Sequence, residues 1–163
     1  MSVEMGEYVV GAYLEVVMEC DIVHYGARLP SGGLGGLNEL DVVGLKFKTK
    51  TAYLCEVTTH LNGMTITDYP TTVKKFKSKN SAAKKYADTC LRDFEQKRFM
   101  FWSPRVPRGK LLSQLRQIEG LEFVVNDEYT KCVDELRAFA KKSTRPTNNP
   151  FFRTLQILEH LKR

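Results

Sequence analysis

Paired cysteines, zinc-ligand spacings and long apolar runs are all missing from this chain, and each absence removes a class of protein. Cys20, Cys55, Cys90 and Cys132 are scattered with no CxxC pair, so a disulfide framework is not expected. Three of them lie in apolar periodic segments, where cysteine acts as a small hydrophobe. His24, His60 and His160 show no zinc spacing. No apolar stretch reaches the ~20 residues of a spanning helix, so no membrane partner is expected. MSVEMGEYVV lacks a basic stretch followed by an apolar one, so the expected address is cytoplasmic. The glycine-rich PSGGLGG at 30–36 is not followed by Gly-Lys-Ser/Thr, which argues for a connector and against a P-loop.

What is present suits one soluble domain: 163 residues, 42% hydrophobic and 27% charged. Lys and Arg number 25 against 19 Asp and Glu, a net charge of +6. That surplus favours a polyanionic partner. It is concentrated at Lys74, Lys75, Lys77, Lys79, Lys84 and Lys85, then at Arg98, Arg105, Arg108 and Lys110. In an arbitrary protein such a lysine run is first a solvated face. Beside an acidic site, Lys74, Lys77, Lys79, Arg105 and Arg108 become candidate nucleic-acid contacts of the non-specific, salt-sensitive kind.

Periodicity predicts a helix over 4–20, a strand leading into a loop over 20–29, and a hairpin of strands 37–47 and 51–61. A helix should start at Tyr69-Pro70, with Val73, Phe76, Ala83, Ala87 and Cys90 as its apolar stripe. Then come a buried strand at 98–103, a helix at 110–118, a strand at 121–125 and a helix at 129–140. This alternation argues for an α/β fold, a three-layer α/β/α sandwich around a central mixed β-sheet. Residues 1–142 form the domain. The linker and helix of 143–163 either pack on it or form an interface, with a second copy of the chain as one candidate partner.

The chemistry lies in the hairpin, NELDVVGLKFKTKTAYLCEVTTH. With the turn centred between Thr49 and Lys50, Asp41 lies opposite Thr58 and Val43 opposite Glu56. Alternation then sends Asp41, Glu56 and Thr58 to one face. Two carboxylates in apolar surroundings repel unless paired or holding a cation. Mg²⁺ or Mn²⁺ fits such oxygens. The competing expectation pairs each acid with a nearby lysine, Lys46 or Lys48.

Asp41 in ELDVVG followed by Glu56-Val57-Thr58 in YLCEVTT resembles the PD-(D/E)XK nuclease superfamily, the restriction-endonuclease-like fold. Glu7 in GEYVVGAYL matches a helical glutamate of many relatives, and the lysine-rich helix ending in AAKKYA matches their order of elements. The likeness spans roughly residues 5–125. It implies a Mg²⁺-dependent (or Mn²⁺-dependent) endonuclease, a hydrolase acting on DNA. Asp41, Glu56 and the Val57 carbonyl would hold the metal, with Thr58 and Glu7 assisting. The family's lysine two residues after the second acid is Thr58 here. Either a lysine of the following helix fills its place, with Lys75 the first candidate and Lys74 and Lys77 behind it, or the protein has become an inactive nuclease fold that binds nucleic acid or a partner protein.

Overall fold

The computed structural model describes residues 2–30, 39–61 and 68–162. The 31–36 part of the glycine-rich connector lies outside them. Five strands form one open sheet in the order β1 (Ile22–Ala27), β2 (Leu40–Lys46), β3 (Thr51–Val57), β4 (Gln96–Ser103) and β5 (Leu121–Val125). The first three run as an antiparallel meander, and β3, β4 and β5 are parallel. Antiparallel neighbours need only a turn, whereas each parallel step carries a helical crossover. Between β3 and β4 that crossover is α2 (Tyr69–Cys90); between β4 and β5 it is α3 (Lys110–Leu115).

Helices cover both faces, giving a three-layer α/β/α sandwich. On one side α2 and α3 bury Val43, Ala52, Leu54, Phe99, Phe101 and Phe123. On the other, α1 (Met5–Ala12), α4 (Asp127–Lys142) and α5 (Pro150–Leu161) cover Val42, Tyr53, Cys55, Met100 and Trp102. Residues 51–55 of β3 are all buried, which is why this strand reads as a nearly continuous β-prone run.

Four expectations need correction. The first helix is α-helical only to Ala12 and continues as a π-helical turn, Tyr13–Val17. Cys90 is exposed at the end of α2, whose buried face is Thr72, Phe76, Asn80, Ala82, Ala83 and Ala87. The strand β3 ends at Val57, short of residue 61. The hairpin turn is Phe47–Lys50, closed by Lys50 N–H donating to Phe47 O at 3.1 Å, with Lys46 paired to Thr51. The turn therefore centres one residue earlier than expected, and the register moves by two. An even shift leaves every side chain on its own face.

The helix α5 packs against α1 and α4. Its cap residue Asn149 accepts from Phe152 N–H at 3.0 Å and donates through Nδ2 to Tyr8 O at 2.9 Å and to the Tyr25 hydroxyl at 3.3 Å. Phe152 and Leu155 enter the core, while Ile157, Leu158 and Leu161 face outward.

The same Tyr25 hydroxyl fills the space a side chain at Gly11 would need. Gly11→Ala should cost about 1–3 kcal/mol by overpacking. In a Tyr25→Phe background the cost should fall, because the oxygen is gone; urea denaturation of the two single variants and the double variant measures it.

Candidate acidic site

Moving the hairpin register by two has a direct chemical consequence. Val42 pairs with Cys55, so continuing the ladder by one residue sets Asp41 across from Glu56. Directly opposed cross-strand side chains have Cβ atoms about 5 Å apart, and like charges there are destabilising. Here two carboxylates face each other at the end of the hairpin, on the side of the sheet covered by α2.

Asp41 has a second task. Its Oδ2 accepts from Val57 N–H at 2.7 Å, so the carboxylate takes a backbone donor at the end of β3. One residue on, Thr58 N–H donates to Trp102 O at 2.9 Å, tying the chain to β4. Glu56 has the more apolar setting. It lines a small pocket of about 20 Å³ with Leu40, Leu54, Phe76, Asn80 and Phe99. Its Oε1 is buried with no protein hydrogen-bond partner. Burial, then the adjoining Asp41 carboxylate, push the Glu56 carboxyl up to about 8, against a smaller opposing pull from Lys79. Burial beside a second carboxylate thus favours the protonated form of Glu56.

Lys79 of α2 supplies the nearest cation. Its Nζ lies 3.4 Å from Glu56 Oε2, long for a charge-assisted hydrogen bond. Lys75, the first candidate from sequence, is exposed and makes no ion pair among the described residues, and Lys74 and Lys77 are likewise exposed. The difference is one helical turn. Lys79 follows Phe76 by three residues and precedes Ala83 by four, so it borders the stripe that faces the sheet. That spacing was readable in the sequence, where Lys79 stood only as a nucleic-acid contact. Lys46 and Lys48 do not pair with the acids: Lys46 donates to Met18 O at 3.0 Å and lies 3.4 Å from Glu19, and Lys48 is exposed in the turn.

Glu7 comes from the opposite layer. The N-terminal turn of α1 sits against Thr59, where Gly6 leaves no room for a side chain. Burial and then the Asp41 charge raise the Glu7 carboxyl above its ordinary value, which places Glu7 in the field of the site. It also accepts from Glu4 N–H at 3.3 Å, so it serves as part of the helix cap. Glu39, bound by Arg28 at 2.8 Å, adds a further negative charge near Glu7. Sequence reasoning passed over Glu39 and the buried Asn80.

Arg105 and Arg108 stand past the end of β4. Arg105 Nη1 donates to Leu61 O at 3.1 Å, and Arg108 Nη2 contacts both carboxylate oxygens of Asp127 at 2.9 Å. The charge of Arg108 is thus already matched.

A hard divalent cation suits this donor set in kind. Two adjacent carboxylates, a buried Glu56 oxygen without a protein partner and the neighbouring Val57 carbonyl are the oxygen ligands such an ion takes. Among the described residues no group of three or more His, Cys, Asp or Glu side chains gathers to hold a metal. The rest of a coordination shell would therefore come from backbone and water, as Mg²⁺ commonly accepts. Fold and site together define an α/β/α protein with a carboxylate pair and one lysine at a hairpin end. Compared with protein-family models, curated proteins and solved structures, the chain gives no significant match.

A glutamate whose carboxyl is raised in the fold stabilises while protonated. That contribution is whole below the unfolded value of 4.5 and is lost as pH rises to about 8. The Tm of the metal-free protein should fall across this window. In Glu56→Gln the fall should be much shallower, which calorimetry at a series of pH values would show.

Proposed function

We propose that this chain is a PD-(D/E)XK-type nuclease, acting in the cytoplasm, that uses Mg²⁺ or Mn²⁺ to hydrolyse phosphodiester bonds of DNA. The observation that carries this reading is Glu56 held between Asp41 on the facing strand and Lys79 on α2. Asp41 and Glu56 would hold the ion, with the Val57 carbonyl as a further oxygen. When bound, the ion supplies an acidified water and neutralises charge that develops on the phosphate.

The chain's own groups divide the remaining work. Lys79 brings the positive charge that the family's motif lysine would bring, from the helix after the second acid. Its ammonium can orient a water or meet a non-bridging phosphate oxygen. The Thr58 hydroxyl can hydrogen-bond water on the same face but carries no charge. Glu7 reaches the site from the other layer and can accept a proton or hold an outer water. The net charge of +6 favours approach of a polyanion.

One observation favours the second reading, a nuclease fold that binds DNA without cutting: among the described residues two side-chain carboxylates form the centre, with threonine at the motif position. A cleavage panel over duplex, single-stranded and branched DNA and RNA with Mg²⁺ or Mn²⁺ separates the two. Asp41→Ala or Glu56→Gln should abolish cleavage. Lys79→Met should lower it about 10²-fold, and Lys75→Met by no more than about twofold. Cleavage that survives Glu56→Gln, or a wild type that cuts no substrate with either metal, would sink the enzyme reading.

A further inference from the structure

Three shallow grooves on the surface differ in how their positive charge is balanced. In the cleft of about 620 Å³ past β4, Arg108 is held bidentately by Asp127. In the groove of about 520 Å³ beside β5, Arg98 is bound to Glu122 at 2.8 and 2.6 Å, and Arg116 to Glu128 at 2.9 Å. The groove between α2 and α3, about 550 Å³, is different. Its walls are Lys74 and Lys77 from α2, with Gln114 and Gln117 from α3 and the turn after it. Pro70, Val73 and Ile118 complete the lining. No carboxylate lines it, and neither lysine makes an ion pair among the described residues.

This imbalance runs along both walls. Between Asp68 and Asp88 the chain has six lysines and no acid, and from Gly109 to Ile118 it has none either. Two free ammonium groups flanked by two carboxamides match a row of phosphates: the ammoniums supply charge, and each Gln NH₂ supplies donors for phosphate oxygens. The apolar lining suits sugar rings, and among the described residues that line the groove none offers an aromatic platform for bases.

The groove shares α2 with the acidic site. Lys74 and Lys79 are about 7.5 Å apart along the axis of α2, at 1.5 Å per residue. Lys77 and Lys79, two positions apart, project to opposite flanks. One flank of α2 therefore meets Glu56, and the other forms the groove wall.

We propose that the α2–α3 groove is the anchoring track for the phosphodiester backbone of the nucleic acid engaged at the Asp41–Glu56 site. The inference deepens the nuclease reading by locating its substrate contacts, and it rests on that reading for the identity of the polyanion. The groove holds backbone and carries no base readout, so affinity there depends on salt and little on sequence.

The test is binding of a labelled 20-base-pair DNA duplex, and of one of its single strands, by fluorescence anisotropy in EDTA over a NaCl series. Each phosphate contact contributes about 0.9 to the slope of log K against log salt for duplex and about 0.7 for single strand. The double variant Lys74→Gln/Lys77→Gln should lose about 1.8 from the duplex slope. An equal charge change on the opposite layer, Lys141→Gln/Lys142→Gln, should leave the slope within about 0.5 of wild type. Gln114→Ala should weaken binding at all salt concentrations without changing the slope. Absence of DNA binding, an unchanged slope in the groove variant, or an equal loss in the control overturns the proposal. So does binding of polyglutamate in place of DNA, which would assign the groove to an acidic protein. Groove-dependent binding without any cleavage upholds the track and removes the nuclease reading; cleavage with a groove-independent slope does the reverse.

Discussion

Two carboxylates face each other across the β2–β3 ladder, Glu56 among apolar side chains and Asp41 half-buried at the strand end. Like charges at that spacing, with Leu40, Leu54 and Phe76 nearby, cannot both stay ionised without a compensating cation. Asp41 accepts the Val57 N–H at 2.7 Å. Glu56 is left with burial and its neighbour's charge, which push its carboxyl up to about 8. The ammonium of Lys79 opposes that shift without overcoming it. A centre arranged in this way is costly to the fold as a bare diacid, and the cost is relieved by a proton or by a divalent ion.

The scaffold makes the arrangement specific. Pairing of Lys46 with Thr51 sets the register that opposes Asp41 and Glu56. The parallel step from β3 to β4 obliges the chain to cross over, and α2 performs that crossing with Phe76, Ala83 and Ala87 buried against the sheet. Because that face is fixed by burial, Lys79 at its margin is delivered to Glu56, while Lys74 and Lys77 are turned to the other flank. On the far layer, Asn149 links α5 to Tyr8 and Tyr25. Core packing thereby holds α1, and with it Glu7, over the same end of the sheet.

Much of this was legible in the sequence because it follows from period and chemistry. The continuous β-prone run of residues 51–57, the Tyr69-Pro70 helix start and the Leu121–Val125 strand are local signals. The shared face of Asp41 and Glu56 survived an error in the turn, since side-chain direction depends only on parity. What failed depended on tertiary context. Nothing local distinguishes a π-helical turn at Tyr13–Val17 from a continuing α-helix. The lysine is a different case: helix geometry does not settle the choice among Lys74, Lys75 and Lys77, and the stripe through Phe76 and Ala83 borders Lys79, which lies 3.4 Å from Glu56. The pairing of Arg108 with Asp127 joins residues 19 positions apart, which no reading of charge clusters reveals.

Under the nuclease reading proposed above, the Asp41–Glu56 pair would exchange a proton for a divalent ion. Isothermal titration of the metal-free protein with Mn²⁺ at pH 7, in buffers of different ionisation enthalpy, tests it most directly. Binding of one ion with release of about one proton is the predicted result, and Glu56→Gln should lose that release together with most of the affinity. Absence of binding, or binding with no proton released from the wild type, would contradict the account.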